Sequence, residues 1–189
     1  MELEQAIRQR RSIRRFQDRP VDRAVLEGLI RDAAWAPSAM NTQPWMFHVI
    51  SGPARDRLCG IMSGAFDKLQ PRLEELFKKK MVGMIRGYFT HFGNAPHLVA
   101  VTCERLEVPE YQEGAVQSVS AAIQNFCLLA HAAGLGTCWM TGPLWVAREV
   151  ELFLGVPERS LSAVITVGWP DQDPPIPPRR GDILAWIDK

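Results

Sequence analysis

The chain has 189 residues, of which 47% are hydrophobic and 23% are charged. These proportions are typical of a globular domain and exclude a disordered, collagen-like or coiled-coil chain. The length predicts a single domain, 1–189, around one sizeable core. Lys and Arg number 22 against 21 Asp and Glu, so the net charge of +1 indicates no nucleic-acid or acidic-membrane partner. Seven Arg nevertheless stand against four carboxylates in residues 1–23.

Cysteine and histidine usage bears on the compartment and on metals. The four cysteines have no C-x-x-C spacing, and two have apolar neighbours, which predicts buried free thiols in a reducing compartment. The four histidines lack ligand spacing, so no metal site is expected. The N-terminus lacks the layout of a signal peptide, and no apolar run approaches the ~20 residues that span a bilayer. We therefore expect a cytoplasmic protein.

In the first half of the chain, periodicity and turn residues predict two helices, a strand and a long helical region. The first helix covers 2–10, and the second begins after the N-cap Asp22 and ends by Pro37. A loop over 36–44 leads to a strand at 46–50, and residues 54–93 are predicted to be helical.

The second half alternates strands and helices. Strands are predicted at 97–103, 137–140 and 161–168, and helices at 113–133 and at 146–154, the latter ended by Gly155. The buried stripe of the long helix is predicted to consist of Val116, Val119, Ile123, Phe126 and Ala130, with Gly134 at its C-terminal end. Crossovers of unequal length, with no Gly-rich phosphate loop after a strand, favour an α+β layer over a doubly wound sheet.

Four segments carry residue types suited to ligand binding. Residues 10–16 (Arg-Arg-Ser-Ile-Arg-Arg-Phe) are either a solvated basic patch or an anion cradle, since guanidinium forks match phosphate oxygens. The loop Ala36–Trp45 holds Ser, Asn and Gln between two prolines, which suits either turn formation or the edge of a planar heterocycle. The segment 134–143 is Gly-rich, and Gly168-Trp169-Pro170 precedes a proline cluster and Arg179-Arg180.

In this order and at these distances, the segments resemble the FMN-dependent nitroreductase family. The resemblance rests on Arg-Arg-Ser-x-Arg-x-Phe at 10–16, Ala-Pro-Ser-x-x-Asn-x-Gln-Pro-Trp at 36–45 and Ala-Ala-Ile-Gln-Asn at 121–125. It continues with Gly-Leu-Gly-Thr-x-Trp at 134–139 and Gly-Trp-Pro followed by Arg179. It implies a mostly antiparallel central sheet flanked by helices, in a domain-swapped homodimer with FMN at each of two interface sites.

The resemblance also implies the site. The residues that would hold the flavin phosphate, ribityl chain and pyrimidine edge are Arg10, Arg11, Ser12, Arg14 and Arg179. Arg179 fits the late position better than Arg180, although Pro177 stands where the family often has a second basic residue. The partner subunit would contribute Pro37, Ser38, Asn41 and Gln43, and the backbone of Thr141 and Gly142 would face flavin N5. No protein side chain would be catalytic, because flavin N5 carries the chemistry. Residues 170–189 would extend toward the partner.

The implied reaction is ping-pong hydride transfer from NAD(P)H through flavin N5 to nitroaromatics, quinones or related acceptors. Residues 66–93 would cover the substrate side, and their aromatic residues form either an acceptor pocket or a packing face: Phe66, Phe77, Tyr88, Phe89 and Phe92. Other branches of the fold dehalogenate iodotyrosines, destroy flavin to make a cobalamin ligand or oxidise azolines. A non-catalytic flavin-binding protein and a nucleic-acid-binding module built on the basic N-terminus are the remaining alternatives.

Overall fold

A four-stranded antiparallel sheet in the order β1-β2-β4-β3 lies at the centre of the molecule, which is described here by a computed structural model over residues 1–188. The strands are β1 Trp45–Ser51, β2 His97–Glu104, β3 Gly136–Met140 and β4 Arg159–Gly168. The helices are α1 Leu3–Gln9, α2 Arg23–Ala33, α3 Gly52–Ser63, α4 Ala65–Leu76, α5 Lys79–His91, α6 Pro109–Ala132 and α7 Ala147–Leu154. Short 3₁₀ turns cover Ala39–Asn41, Phe92–Asn94 and Gly142–Val146.

The sheet separates two apolar cores, because alternate residues of a strand face opposite sides. On β2, Leu98 and Ala100 pack with α3, α4, α5 and α7, whereas Val99 and Val101 pack with α2 and α6. Helices therefore cover both faces of an antiparallel sheet. The predicted α+β class, with its antiparallel sheet flanked by helices, is confirmed.

The predicted capping residues also take their expected roles. Asp22 accepts a hydrogen bond from the Ala24 backbone N–H at 2.9 Å, which caps α2. Gly155 follows α7 with φ of 73°, and Gly134 follows α6 with φ of 79°, a left-handed conformation that glycine adopts without cost. The four cysteines are free and buried. None of the helices within residues 1–188 is long and apolar enough to cross a bilayer.

Two details of the predicted long helix were wrong. The long helix begins at Pro109 rather than 113, because proline is well tolerated in the first turn of a helix. Val116 is 44% exposed, since the buried stripe passes through Ala115 and Val119 instead. The second helix ends at Ala33, in agreement with its predicted end by Pro37.

The chain ends in an extended arm, residues 171–188, in which the structure has no helix or strand. The arm leaves β4 beside the segment that follows α1, where Asp171 donates its backbone N–H to the Arg15 carbonyl at 3.0 Å. Its apolar side chains are 72–85% exposed: Ile176, Ile183, Leu184, Trp186 and Ile187.

Candidate flavin-phosphate site

The basic segment Arg10–Phe16 lies against the outer edge of β3. Ser12 forms a parallel bridge with Thr137, and the Ile13 backbone N–H donates to the Thr137 carbonyl at 2.8 Å. This approach depends on Gly136, because a Cβ at that position would lie 2.7–2.8 Å from the Ile13 side chain. The glycine-rich segment and the basic segment, which the sequence analysis treated separately, are thus one structural unit.

The guanidinium of Arg11 is incompletely hydrogen bonded. Its Nη1 donates to the carbonyls of Arg8 and Arg10 at 2.8 and 2.6 Å. Its Nε and Nη2 are buried and have no hydrogen-bond partner among residues 1–188. A buried cation without a counter-charge is costly, so this arrangement favours an anionic ligand over a solvated basic patch.

Arg10 and Arg14 add to the positive charge at the same edge of the sheet. Within residues 1–188, Arg10, Arg11 and Arg14 form no ion pair with a carboxylate. Arg10 and Arg11 line a cleft of about 250 Å³ together with Thr137 and His131. Burial lowers the pKa of His131, and the positive charges of Arg10 and Arg11 lower it further.

Arg14 lies further along β3, near its buried polar residues. Burial raises the pKa of the Cys138 thiol, and the nearby Arg14 guanidinium and a hydrogen bond with Ser12 oppose that increase. Burial likewise raises the pKa of Tyr88, whose hydroxyl donates to the Met140 sulfur at 3.2 Å. The phenol and the thiol therefore stay protonated and neutral, which leaves the arginines of the basic segment as the charged groups beside β3.

Thr141 and Gly142 lie at the opposite end of β3. The four residue steps from Thr137 to Thr141 correspond to about 13 Å of strand. A Cβ at Gly142 would lie 2.8 Å from the Phe89 ring, so this turn accepts only glycine without displacing α5. An elongated ligand lying along β3 can contact both the arginines and this turn.

The loop that contains Pro37, Ser38, Asn41 and Gln43 is held together by its own side chains. Ser38 accepts from the Gln43 backbone N–H at 3.1 Å, and the Gln43 side-chain amide donates to Asn41 at 3.3 Å. Asn41 and Gln43 have φ of 55° and 48°, and such left-handed backbone in residues other than glycine is concentrated at functional sites.

Within one chain, this loop is distant from the arginines. The Ala39 backbone N–H donates to Ser118 at 3.2 Å, which fixes the loop to the first half of α6. The arginine cleft is at the other end of this helix, at His131, and the helix rises about 20 Å between Ser118 and His131. One protomer therefore does not bring the two predicted halves of the site together.

Several other predicted residues lie away from the cleft. Pro170 and three residues of the arm, Gln172, Asp173 and Pro174, line the cleft, whereas Arg179 lies further along the arm and is exposed. Its role as a phosphate ligand stays a prediction.

The aromatic residues of α4 and α5 divide between core and surface. Phe66, Phe89 and Phe92 are buried in the core, which favours a packing face over an acceptor pocket for these three residues. Phe77 is 45% exposed. Sequence reasoning missed His131, because nothing in its local sequence indicates that the end of α6 meets Arg11.

The family model for the Nitroreductase family matches residues 7–169. Among characterised relatives, an iodotyrosine deiodinase from Thermotoga neapolitana is 31% identical and covers 95% of this chain and 94% of its own length. A 5,6-dimethylbenzimidazole synthase from Rhodospirillum rubrum is 30% identical, covering 89% and 82%. The nitroreductase NfnB from Mycolicibacterium smegmatis is 27% identical, also covering 89% and 82%.

Solved structures agree with the fold. An iodotyrosine deiodinase bound to FMN and 3-iodo-L-tyrosine superposes with a TM-score of 0.77 at 26% identity, covering 98% of this chain and 99% of the other. The FMN-dependent nitroreductase NfnB from Mycobacterium smegmatis, in complex with NADPH, has a TM-score of 0.81 at 24% identity and covers 98% and 97%. The family model spans most of the chain, and the relatives are of nearly equal length. The chain therefore belongs to the Nitroreductase family.

Proposed function

We propose that the protein is an FMN-dependent oxidoreductase that transfers hydride from NAD(P)H to electron-poor acceptors, such as nitroaromatics or quinones, in a ping-pong cycle. The observation that carries the proposal is the Arg11 guanidinium, two of whose nitrogens are buried without a hydrogen-bond partner among residues 1–188. Arg11 lines one cleft with Arg10 beside β3, the strand that leads to Gly142. A phosphate ester is close to a dianion at neutral pH and needs such fixed cations when it is bound away from water.

The residues present fit FMN. Arg10, Arg11, Ser12 and Arg14 supply donors for the phosphate and the polar edge of the flavin, with Arg179 as a further cation from the arm. When bound, FMN supplies two-electron redox chemistry at N5. The backbone N–H groups of Thr141 and Gly142 would orient that atom.

The arginines do more than hold the phosphate. Because guanidiniums stay protonated throughout the physiological pH range, they favour negative charge on the bound cofactor without supplying a proton.

The proposal includes a homodimer in which the loop with Pro37, Ser38, Asn41 and Gln43 completes the partner's site. Two features support it. The loop contacts α6 at Ser118, about 20 Å along the helix from His131, which lines the arginine cleft, and the arm exposes five large apolar side chains. A soluble monomer rarely leaves such residues uncovered.

A second copy offers a place for the arm. Among residues 1–188, β1 pairs only with β2, so its outer edge is open, and an extended arm can add to an open strand edge. Deleting residues 171–189 is therefore expected to give a monomer with poor flavin retention, as measured by light scattering and absorbance. A truncated chain that remains dimeric would contradict this assignment.

Two other reactions are direct alternatives to the proposed reduction of nitroaromatics or quinones. Relatives about 30% identical are named as an iodotyrosine deiodinase and a 5,6-dimethylbenzimidazole synthase. These activities use the same fold with different acceptors. The hydride-transfer assignment is favoured because the motif at 10–14 and the loop at 36–45 carry flavin-binding groups, and no residue set in the sequence selects either other reaction.

The test is anaerobic mixing of the purified, flavin-loaded protein with NADH or NADPH. Bleaching of the yellow flavin absorption is expected, followed by reoxidation on adding a quinone or a nitroaromatic compound. Turnover with excess reductant separates an enzyme from a non-catalytic flavin carrier. Loss of iodide from 3-iodotyrosine, or consumption of the flavin itself in air, would assign the protein to one of the other branches. A lack of bleaching with both nicotinamides would refute the hydride step.

We also propose a cytoplasmic location, in line with four unpaired buried thiols.

A further inference from the structure

A histidine outside the flavin-binding motif lies in the wall of the arginine cleft. His131 occupies the last turn of α6, and its Nε2 is buried without a hydrogen-bond partner among residues 1–188. The two free nitrogens of Arg11 are buried in the same region. Nearly all buried side-chain polar atoms in proteins are hydrogen bonded. Three atoms that are not, on two residues that line one cleft, favour a polar ligand in that cleft.

The chemistry of these atoms selects the ligand. Guanidinium nitrogens only donate hydrogen bonds, and an imidazole Nε2 donates when it carries a proton. A group with several acceptor oxygens satisfies all three atoms at once, which is the property of a phosphate. Asp173 also lines the cleft, but it makes no hydrogen bond or ion pair with Arg11 or His131.

We propose that His131 donates a hydrogen bond from Nε2 to the phosphate of FMN, beside Arg11. The inference rests on the proposed FMN binding and adds a ligand that comes from the far end of α6, about 120 residues along the chain from the motif. The last turn of α6 would thereby contribute to the retention of FMN.

Charge around His131 makes this contact dependent on pH. The charged or titratable residues that line the cleft with His131 are Arg10, Arg11 and Asp173, and Met1, which carries the amino terminus, lines it as well. Cys127 lies one turn earlier on α6. In the flavin-free protein, burial and the two arginines keep the pKa of His131 below its usual value, so the ring is neutral. A phosphate dianion opposes that effect, and His131 takes up a proton when FMN binds.

The experiment measures the dissociation constants of FMN and of riboflavin, which lacks the phosphate, by quenching of flavin fluorescence on apoprotein. His131→Phe is expected to weaken FMN binding about tenfold or more and to change riboflavin binding less than about twofold. His131→Gln keeps a donor near the Nε2 position and is expected to recover much of the affinity. The ratio of FMN affinity in the wild-type protein to that in His131→Gln should increase as the pH falls from 8 to 6, because only the wild-type protein has an imidazole that can gain a proton. Ionisation of the phosphate is common to both proteins and cancels in the ratio.

Asp173→Asn is the matched control, since it removes the carboxylate that faces the same cleft. It is expected to increase FMN affinity, because it removes a negative charge beside the phosphate. Equal losses of FMN and riboflavin affinity in His131→Phe would show a merely structural role and overturn the inference, as would unchanged FMN affinity. A loss in Asp173→Asn as large as in His131→Phe would show that His131 holds the arm instead. A wild-type protein that binds neither flavin would refute the proposed function itself.

Discussion

Replacing Gly136 with alanine tests the contact that places the arginines on β3. The added Cβ would lie 2.7–2.8 Å from three atoms of Ile13, well inside van der Waals contact. Ile13 cannot move freely, because its side chain is only 7% exposed and its backbone N–H is bonded to Thr137 at 2.8 Å. Overpacking of this kind costs about 1–3 kcal/mol.

The cost is expected to be divided between stability and cofactor affinity. If the basic segment stays in place, the melting temperature falls by about 2–4 °C for each kcal/mol. If the segment moves away, part of the binding free energy of FMN is used to return it to β3, and the FMN affinity falls about tenfold for each 1.4 kcal/mol. Thermal unfolding and FMN titration, measured together, therefore account for the full effect.

The matched control is Gly60→Ala in α3, where no atom lies within 4 Å of the added Cβ. Alanine replaces glycine in a helix there, so a gain of about 0.5–1 kcal/mol in the free energy of unfolding is expected. The reasoning is refuted if Gly136→Ala leaves both the melting temperature and the FMN affinity at their wild-type values.

Three further predictions follow from the described contacts. Arg14→Ala is expected to weaken FMN retention far more than Arg180→Ala, and equal FMN affinity in the two variants would overturn the assignment of Arg14. Glu151→Gln should lower the free energy of unfolding by about 1–3 kcal/mol in urea titrations. The Glu151 carboxylate is 4% exposed and accepts hydrogen bonds from Arg105 at 2.7 Å and from the Leu161 backbone N–H at 3.0 Å. Glu149→Gln, at an exposed position, should have little effect, and similar losses in the two variants would contradict this reasoning. Burial lowers the pKa of His97 in the folded chain, so the unfolded chain binds more protons, and stability should fall as the pH decreases through the ordinary range of histidine. His97→Gln should reduce that pH dependence, and an unchanged slope would show that other groups cause it.

Local sequence signals predicted the elements well wherever local chemistry decides the structure. Asp22 and Gly155 were identified as helix-end residues because capping depends on the residue itself and its immediate neighbours. Val116 was misplaced because the buried face of α6 is set by the sheet and by α2, which the periodicity of one helix does not contain.

From the local chemistry of its residues, the candidate site was predictable only as separate parts, which the family resemblance joined into one site. The motif at 10–14 and the turn at Thr141 were identified from sequence. That both lie beside β3 follows from the packing of Ile13 against Gly136, which the sequence does not show. His131 had no sequence signal at all, since its role depends on a contact between the end of α6 and a distant segment. The loop with Asn41 and Gln43 lies far from the arginines in one chain, which a linear motif cannot reveal.

The central claim is that the unpartnered arginines bind the phosphate of FMN. Its most direct measurement is the identity and amount of flavin released from the purified protein on denaturation, before and after incubation with excess FMN. The account predicts FMN at one molecule per chain, lost when Arg10 and Arg14 are both replaced by alanine. A colourless wild-type protein that takes up no added FMN would contradict it.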